Sequence, residues 1–371
     1  MESPIKYFAS MQDHRLSRKR LHNKKDIIAI TIAAVICGAS DWYEIADYGQ
    51  KKQGWFKTFL ELPNGIPSHD TFNRFFAMAD SKALEECFAN WVSSVAKITQ
   101  GSIVSIDGKC LRGSAEAKSQ DFIHMVSAWC NTNNMVLAQQ KVNDKSNEIT
   151  AIPALLEVLF LQGCLVTIDA MGCQTAVAEK IVDKQADYIL AVKGNQKVLE
   201  DDIKEAFDQC IIEDQYTQKE VGHGRIEVRT TSVIKDLDWI CNKGDWKKLA
   251  CIVMVFCRRI DKKTGSEESS SRYYISSKNT SAKEFGQAIR SHWQIENKLH
   301  WLMDVAFGED QSRKQAGNAA QNFSLISKVA LNMIRNHEPD IMPGSKKISV
   351  KRKRLMAAWD NDYLLSILQS F

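Results

Sequence analysis

The residues best able to do chemistry lie between Ala288 and Asp310, where the chain reads AIRSHWQIENKLHWLMDVAFGED. The stretch has no proline and its first glycine is Gly308, so about 20 residues can run as one helix. Stepping by four from His292 reaches Glu296, His300 and Asp304, which then share one stripe. Ile295, Leu299 and Leu302 fall on another side and can pack into a core. A carboxylate between two histidines on a helix whose other side is apolar reads as a site on a rigid element, or equally, for this helix alone, as a solvated face with chance histidines. Zinc is disfavoured, because the spacing is not that of an HExxH helix.

Two further carboxylates end apolar runs earlier in the chain. Ile103–Asp107 reads IVSID and Cys164–Asp169 reads CLVTID, each suited to a buried strand with an aspartate at its carboxyl end. A lone aspartate there is ordinarily a turn former. In a ribonuclease-H type of sheet, however, the first and fourth strands are neighbours, and a later helix can add a third acid. Asp107, Asp169 and Glu296 would then crowd at one edge and repel one another unless cations lie between them. Ligands that are all oxygen select a hard ion such as Mg²⁺ or Mn²⁺. Two ions about 3.5–4 Å apart activate the attacking oxygen and stabilise the leaving oxygen of a phosphodiester.

The elements that position these residues follow from the pattern of the 371-residue chain, too long for one ordinary domain. Residues 1–100 read as an all-helical unit with a basic leading arm, RLSRKRLHNKK, suited to DNA or simply to packing. In it, Ser40–Tyr48 is a short helix ended by Gly49. Residues 101–210 read as three strands, helix, strand, helix, strand, helix: the first part of an α/β core, a mixed sheet with covering helices. Residues 211–280, with strands at Ile226–Ile234, Leu249–Cys257 and Arg272–Ser276, read as an inserted, mostly β subdomain. Residues 281–340 return to the core with the Glu296 helix and an amphipathic helix at Asn318–Ile334. Residues 341–371 are a basic tail, including KKISVKRKR, and a last helix.

Composition narrows the class. Apolar residues make up 44 % and the net charge is +4, so charge alone is weak evidence for any partner. Ten cysteines without a CxxC pair argue for a reducing cytoplasm and against a disulfide framework or a zinc finger. The apolar run Ile27–Cys37 is too short to span a bilayer, and no membrane association is expected.

Several stretches are similar to one family. Asp41–Tyr48 (DWYEIADY), Gly65–Phe72 (GIPSHDTF), Ile106–Gly113 (IDGKCLRG), Thr167–Gln174 (TIDAMGCQ), Ala191–Gln196 (AVKGNQ), His223–Glu227 (HGRIE) and Ser291–Asp310 occur in order along almost the whole chain. With them the chain resembles the DDE transposases of bacterial insertion sequences, in the H-repeat-associated (ISAs-type) family. The resemblance implies a ribonuclease-H-like catalytic core interrupted by a β insertion. It also implies an enzyme that binds terminal inverted repeats, cuts their phosphodiester bonds with two Mg²⁺ or Mn²⁺ ions, and joins the 3′-hydroxyl ends to target DNA. The triad carries over to Asp107, Asp169 and Glu296. A homodimer in a synaptic complex and a cytoplasmic, nucleoid-associated location are implied too.

The sequence departs from broader relatives, which place a tyrosine, an arginine and a lysine around the catalytic glutamate. Those positions hold Ile289, His292 and Met303. His292 is expected to replace the arginine as a phosphate contact. Lys109 and Lys193 are the other expected backbone contacts near the metals, and His223 and Arg225 the expected contacts of the insertion with a transposon end. Trp293 and Trp301, flanking Glu296, read more readily as core packing than as base-stacking platforms. Two other functions stay open on sequence alone: a DNA-binding remnant that no longer cuts, and a metal-dependent nuclease without strand transfer.

Overall fold

Nine strands form one sheet: β1 (Ile103–Leu111), β2 (Ile123–Cys130), β3 (Met135–Lys141), β4 (Leu165–Ile168), β5 (Asp187–Val192), β6 (Asp214–Gly222), β7 (Arg225–Ile234), β8 (Cys251–Asp261) and β9 (Glu267–Ser276). Their order is β3-β2-β1-β4-β5-β9-β8-β7-β6. The structure is a computed structural model and describes residues 3–15, 18, 20–96, 100–114, 122–142, 148–222, 224–338 and 347–369. β4 lies parallel to both β1 and β5, while β2 runs antiparallel to β1 and to β3. Among the first five strands only β2 is reversed, as in a ribonuclease-H type of sheet. β4 is four residues, LVTI, all buried, as in a strand covered on both faces, with Thr167 the one polar member.

The region read as an inserted, mostly β subdomain lengthens this sheet. β9 pairs antiparallel with β5, from Ile189↔Ser276 to Val192↔Tyr273, and β8, β7 and β6 follow outward. β6 has no counterpart in the sequence reading. Its residues, DQYTQKEVG, carry too little apolar character to announce a strand, since at the outer edge they alternate between half-buried and exposed.

The amino-terminal segment is helical as read. The Lys24–Cys37 helix is apolar nearly all round, is buried from Asp26 to Ile36, and ends at Gly38 in a left-handed conformation (φ 119°). Asp41, Ser68 and Asp80 cap the three helices Trp42–Lys51, His69–Met78 and Ser81–Val95 by accepting from backbone N–H groups. Gly49 does not end its helix as expected. It lies inside Trp42–Lys51, where a Cβ would come within 2.7 Å of Ile66 Cγ2, so it serves close packing.

The Ala319–Asn336 helix joins these helices to the sheet. Read as amphipathic, it is buried on every side from Ala319 to Ile334, because it lies between two layers. Asn332 exchanges two hydrogen bonds with the Val136 backbone of β3 (2.8 and 2.9 Å). Asn322 donates to Phe76 O (2.8 Å) and Ala79 O (3.0 Å) on the amino-terminal side. One apolar core therefore runs from Phe8 through the sheet to Leu368.

Part of the charge of the basic tail is internal. Arg354 donates to Val35 O (2.8 Å) and Ile36 O (3.3 Å), satisfying carbonyls at the end of the Lys24–Cys37 helix, and Lys353 donates to Ile334 O (2.9 Å). Among the described residues no single helix is long and apolar enough to cross a membrane.

Candidate active site

Register brings the two aspartates together. The parallel pairing of β1 with β4 ends at Ile106↔Ile168. The next residue on each strand is Asp107 and Asp169, one inter-strand spacing of about 4.8 Å apart in the backbone. β1 does not stop at Asp107 as expected. It continues to Leu111 paired with β2, so Asp107 sits mid-strand where β4 leaves off. Asp169 leads into a tight turn of helix at Ala170–Gly172. Gly172 is needed there, since a Cβ would fall 2.3 Å from Ile168 Cγ2. The loop after β5 holds this turn: Asn195 donates to Ala170 O (2.6 Å) and Gln196 to Cys173 O (2.9 Å). The KGNQ stretch thus braces the chain around Asp169.

Alternation puts Ser105, Asp107, Thr167 and Asp169 on one face of the sheet. Against that face lies the Ala282–His292 helix, followed by a π-helical stretch, Ile295–His300, and a further helix, Trp301–Phe307. Polar bonds fix it in place. Thr167 donates to Ser105 Oγ (3.1 Å) and stands 2.9 Å from His292 Nδ1, while Asn131 donates to Ser105 Oγ (3.1 Å) and to Ser291 O (3.2 Å).

The π stretch changes the expected geometry. One uniform helix would stack His292, Glu296, His300 and Asp304; here the wider turns separate them. His292 faces Thr167, and burial pushes its pKa down to about 4 against the pull of Asp169. His300 Nδ1 stands 3.6 Å from Asp107 Oδ2, and burial pushes that imidazole down to about 3. Both rings are therefore neutral near pH 7. Glu296 is exposed at the mouth, with its pKa raised by partial desolvation and lowered by Arg272.

Asp107, Asp169 and Glu296 line one cavity of ≈ 240 Å³, together with Lys193, Arg272, His292 and Trp293. The ligand set is right in kind for a hard divalent ion. Among the described residues, though, no three His, Cys, Asp or Glu side chains stand close enough together to enclose one. Trp301, read as core, is 58 % exposed.

The other expected contacts divide. Lys193 is exposed at the cavity rim, as placed by sequence. Lys109 is not in the cavity: its ammonium is held by Asp304, by Glu309 (2.9 Å) and near Asp310 (3.9 Å), with 12 % of the side chain exposed. An internal ion-pair role replaces the expected phosphate contact. His292, neutral and tied to Thr167, offers no positive charge to a phosphate. Arg225 is half exposed and paired to Glu227 (2.7 Å) in a second cavity of ≈ 400 Å³. His223 lies outside the described residues. Arg272, which lines both cavities, went unnoticed in sequence, because nothing local in a strand says which strand it joins.

The fold is a mixed sheet covered by helices, with Asp107, Asp169 and Glu296 lining one cavity. Comparison with known proteins gives the family. Residues 98–333 match the family model described as "Transposase DDE domain", and residues 5–92 match the one described as "DDE_Tnp_1-associated". "Putative transposase YncI" of Escherichia coli O157:H7 is 44 % identical over 378 residues, covering 100 % of this chain and 95 % of its own. "H repeat-associated putative transposase YhhI" of E. coli K12 is 37 % identical over 372 residues, covering 98 % and 97 %. The chain belongs to the DDE transposases, among the H repeat-associated members of that family.

Proposed function

We propose that this protein cuts DNA at the ends of an insertion element and transfers the freed 3′-hydroxyl groups to target DNA, with Asp107, Asp169 and Glu296 as ligands of two Mg²⁺ or Mn²⁺ ions. The observation that carries the reading is the register Ile106↔Ile168, which sets the two aspartates side by side under a cavity that Glu296 also lines. The ions, when bound, would supply an activated water or hydroxyl and charge stabilisation at the leaving oxygen. The chain's own residues do the rest. Asp107 and Asp169 hold fixed positions on the sheet, and Glu296 closes from the helix side. The braced Asp169 turn keeps that carboxylate from swinging away. His300, neutral beside Asp107, limits which direction the Asp107 carboxylate faces. Lys193 at the rim is the nearest expected contact for the DNA backbone. Cutting both ends of an element together calls for two copies of the chain in one synaptic complex.

The test is nicking of a duplex containing the DNA that borders this reading frame, with Mn²⁺ present. Wild-type protein should nick it and, given a second duplex, join the ends. Asp169→Asn should do neither, with a loss of several orders of magnitude. Equal cutting by both proteins would overturn the assignment of the site. Nicking without any joined product would convert the reading to a nuclease.

A further inference from the structure

The face of the sheet that carries Asp107 and Asp169 continues without a break onto β9, β8, β7 and β6. Ala191 of β5 lies opposite Tyr274, which lies opposite Val253, and one row further along come Arg272, Val255 and Thr231. Five arginines gather over this outer part and line the ≈ 400 Å³ cavity: Arg225, Arg229, Arg259, Arg272 and Arg290.

Four of the five have a carboxylate partner, shared between two glutamates. Glu227, 4 % exposed, is approached by Arg225 (2.7 Å), Arg259 (3.3 Å) and Arg229. Glu220 takes Arg229 (2.9 Å) and Arg290 (3.4 Å). Arg272 differs. Among the described residues no carboxylate lies within ion-pair distance of it, and its guanidinium lies over the Trp293 ring, 5.0 Å from the centroid. A planar cation held flat on an indole loses little side-chain freedom on binding; part of its N–H edge faces the Tyr274 hydroxyl, and its charge acts on Glu296. Arg272 is also the one arginine that lines both cavities, alongside Glu296. The helix supplies no cation to the carboxylate cavity: Arg290 lines only the outer cavity, near Glu220 (3.4 Å), His292 is neutral, Met303 is fully buried and Ile289 is apolar.

We propose that Arg272, stacked on Trp293, is the phosphate-binding residue of this site, gripping the DNA backbone where it passes from the carboxylate cavity onto the arginine-lined face. The proposal rests on the DNA-transferring function above. Arg272 on β9 and Lys193 just after the adjacent β5 then bracket the cavity, and the phosphodiester next to the one being cut lies between them. The bidentate fork of a guanidinium matches two phosphate oxygens, which a lysine at the same place would not.

The experiment measures affinity for the bordering duplex without divalent metal, as a function of salt, and then nicking with Mn²⁺. Arg272→Gln should reduce the slope of log affinity against log salt by about 0.9, the release expected from one lost contact with duplex phosphate. It should also lower nicking by about 10²-fold, the usual cost of losing one preorganised charge stabiliser. Arg272→Lys should keep the salt slope but not the full nicking rate. Arg258→Gln, on the opposite face of β8 and paired to Glu267 (3.0 Å), should leave the slope unchanged. An unaltered slope in Arg272→Gln, or equal changes in Arg272→Gln and Arg258→Gln, would overturn the proposal. Wild-type protein that binds but never nicks would instead count against the function on which it rests, and the salt slopes would still decide the role of Arg272.

Discussion

At the scale of single residues, type was legible in the sequence and environment was not. Asp107 and Asp169 could be picked because each ends an apolar run, a signal in the local string. Lys109 and His292 could not be placed, because a lysine at a cavity and one inside an ion-pair cluster look alike in sequence. The cluster makes a prediction. Lys109→Met strips the compensation from Glu309, 7 % exposed, and from Asp304, so it should destabilise the protein by about 3 kcal/mol, the cost of breaking a buried ion pair from one side. Urea unfolding would measure it. A purely DNA-facing lysine would instead change salt-dependent affinity and leave stability within error.

Glu85 offers a second residue-scale prediction. It is 8 % exposed, accepts from Gln321 (2.9 Å), and burial raises its pKa to about 7 despite the attraction of Lys328. A raised carboxylate favours the protonated folded state. Its contribution is complete below the unfolded value near 4.5 and disappears as pH rises through about 7. Glu85→Gln keeps an acceptor for Gln321 and cannot ionise. Relative to wild type it should therefore be more stable at pH 8, by an amount on the order of 2 kcal/mol, and nearly equal at pH 4. Thermal melts across that range would show it, and a gain confined to low pH would contradict it.

At the scale of elements, the helix that carries Glu296 was found from its apolar side and missing proline, yet its internal geometry was not. An α-helical and a π-helical turn share the same residue preferences; what sets the difference here is how the two flanking helices are anchored. Ser291 and Thr167 fix one end, and the Lys109 cluster fixes the other through Asp304 and Glu309. The stretch Ile295–His300 accommodates one residue too many between those anchors. Deleting the exposed Asn297 should let the segment relax to ordinary α-helix. The protein should stay folded, with a melting temperature close to wild type, while metal-dependent nicking falls by at least about 10²-fold because Glu296 turns out of the cavity. Retained nicking in a folded deletion variant would show that the wide turns do not matter for placing the carboxylate.

At the scale of the whole molecule, the α/β class, the helical amino-terminal segment and the presence of strands after residue 211 were readable from hydrophobic periodicity. What periodicity cannot report is pairing. The strands after residue 211 were read as an inserted, mostly β subdomain with no partner named for them; they extend the central sheet, because β9 fits against the open edge of β5. Likewise Lys328 and Asn332 on the Ala319–Asn336 helix look like a solvent-facing stripe until a second layer covers them. The consequence is one continuous surface, running from the paired aspartates to the arginines of β7 and β8.

All of this hangs on whether the three acids act on shared ions. Direct titration of the folded chain with Mn²⁺, followed by the loss of the free-ion paramagnetic signal, asks that question without needing the DNA sequence of the element. Wild-type protein should take up Mn²⁺, and Asp107→Asn, Asp169→Asn and Glu296→Gln should each weaken that uptake while melting at the wild-type temperature. Uptake unchanged in all three variants would mean that the carboxylates lining this cavity do not hold metal, and the proposed chemistry would have no site.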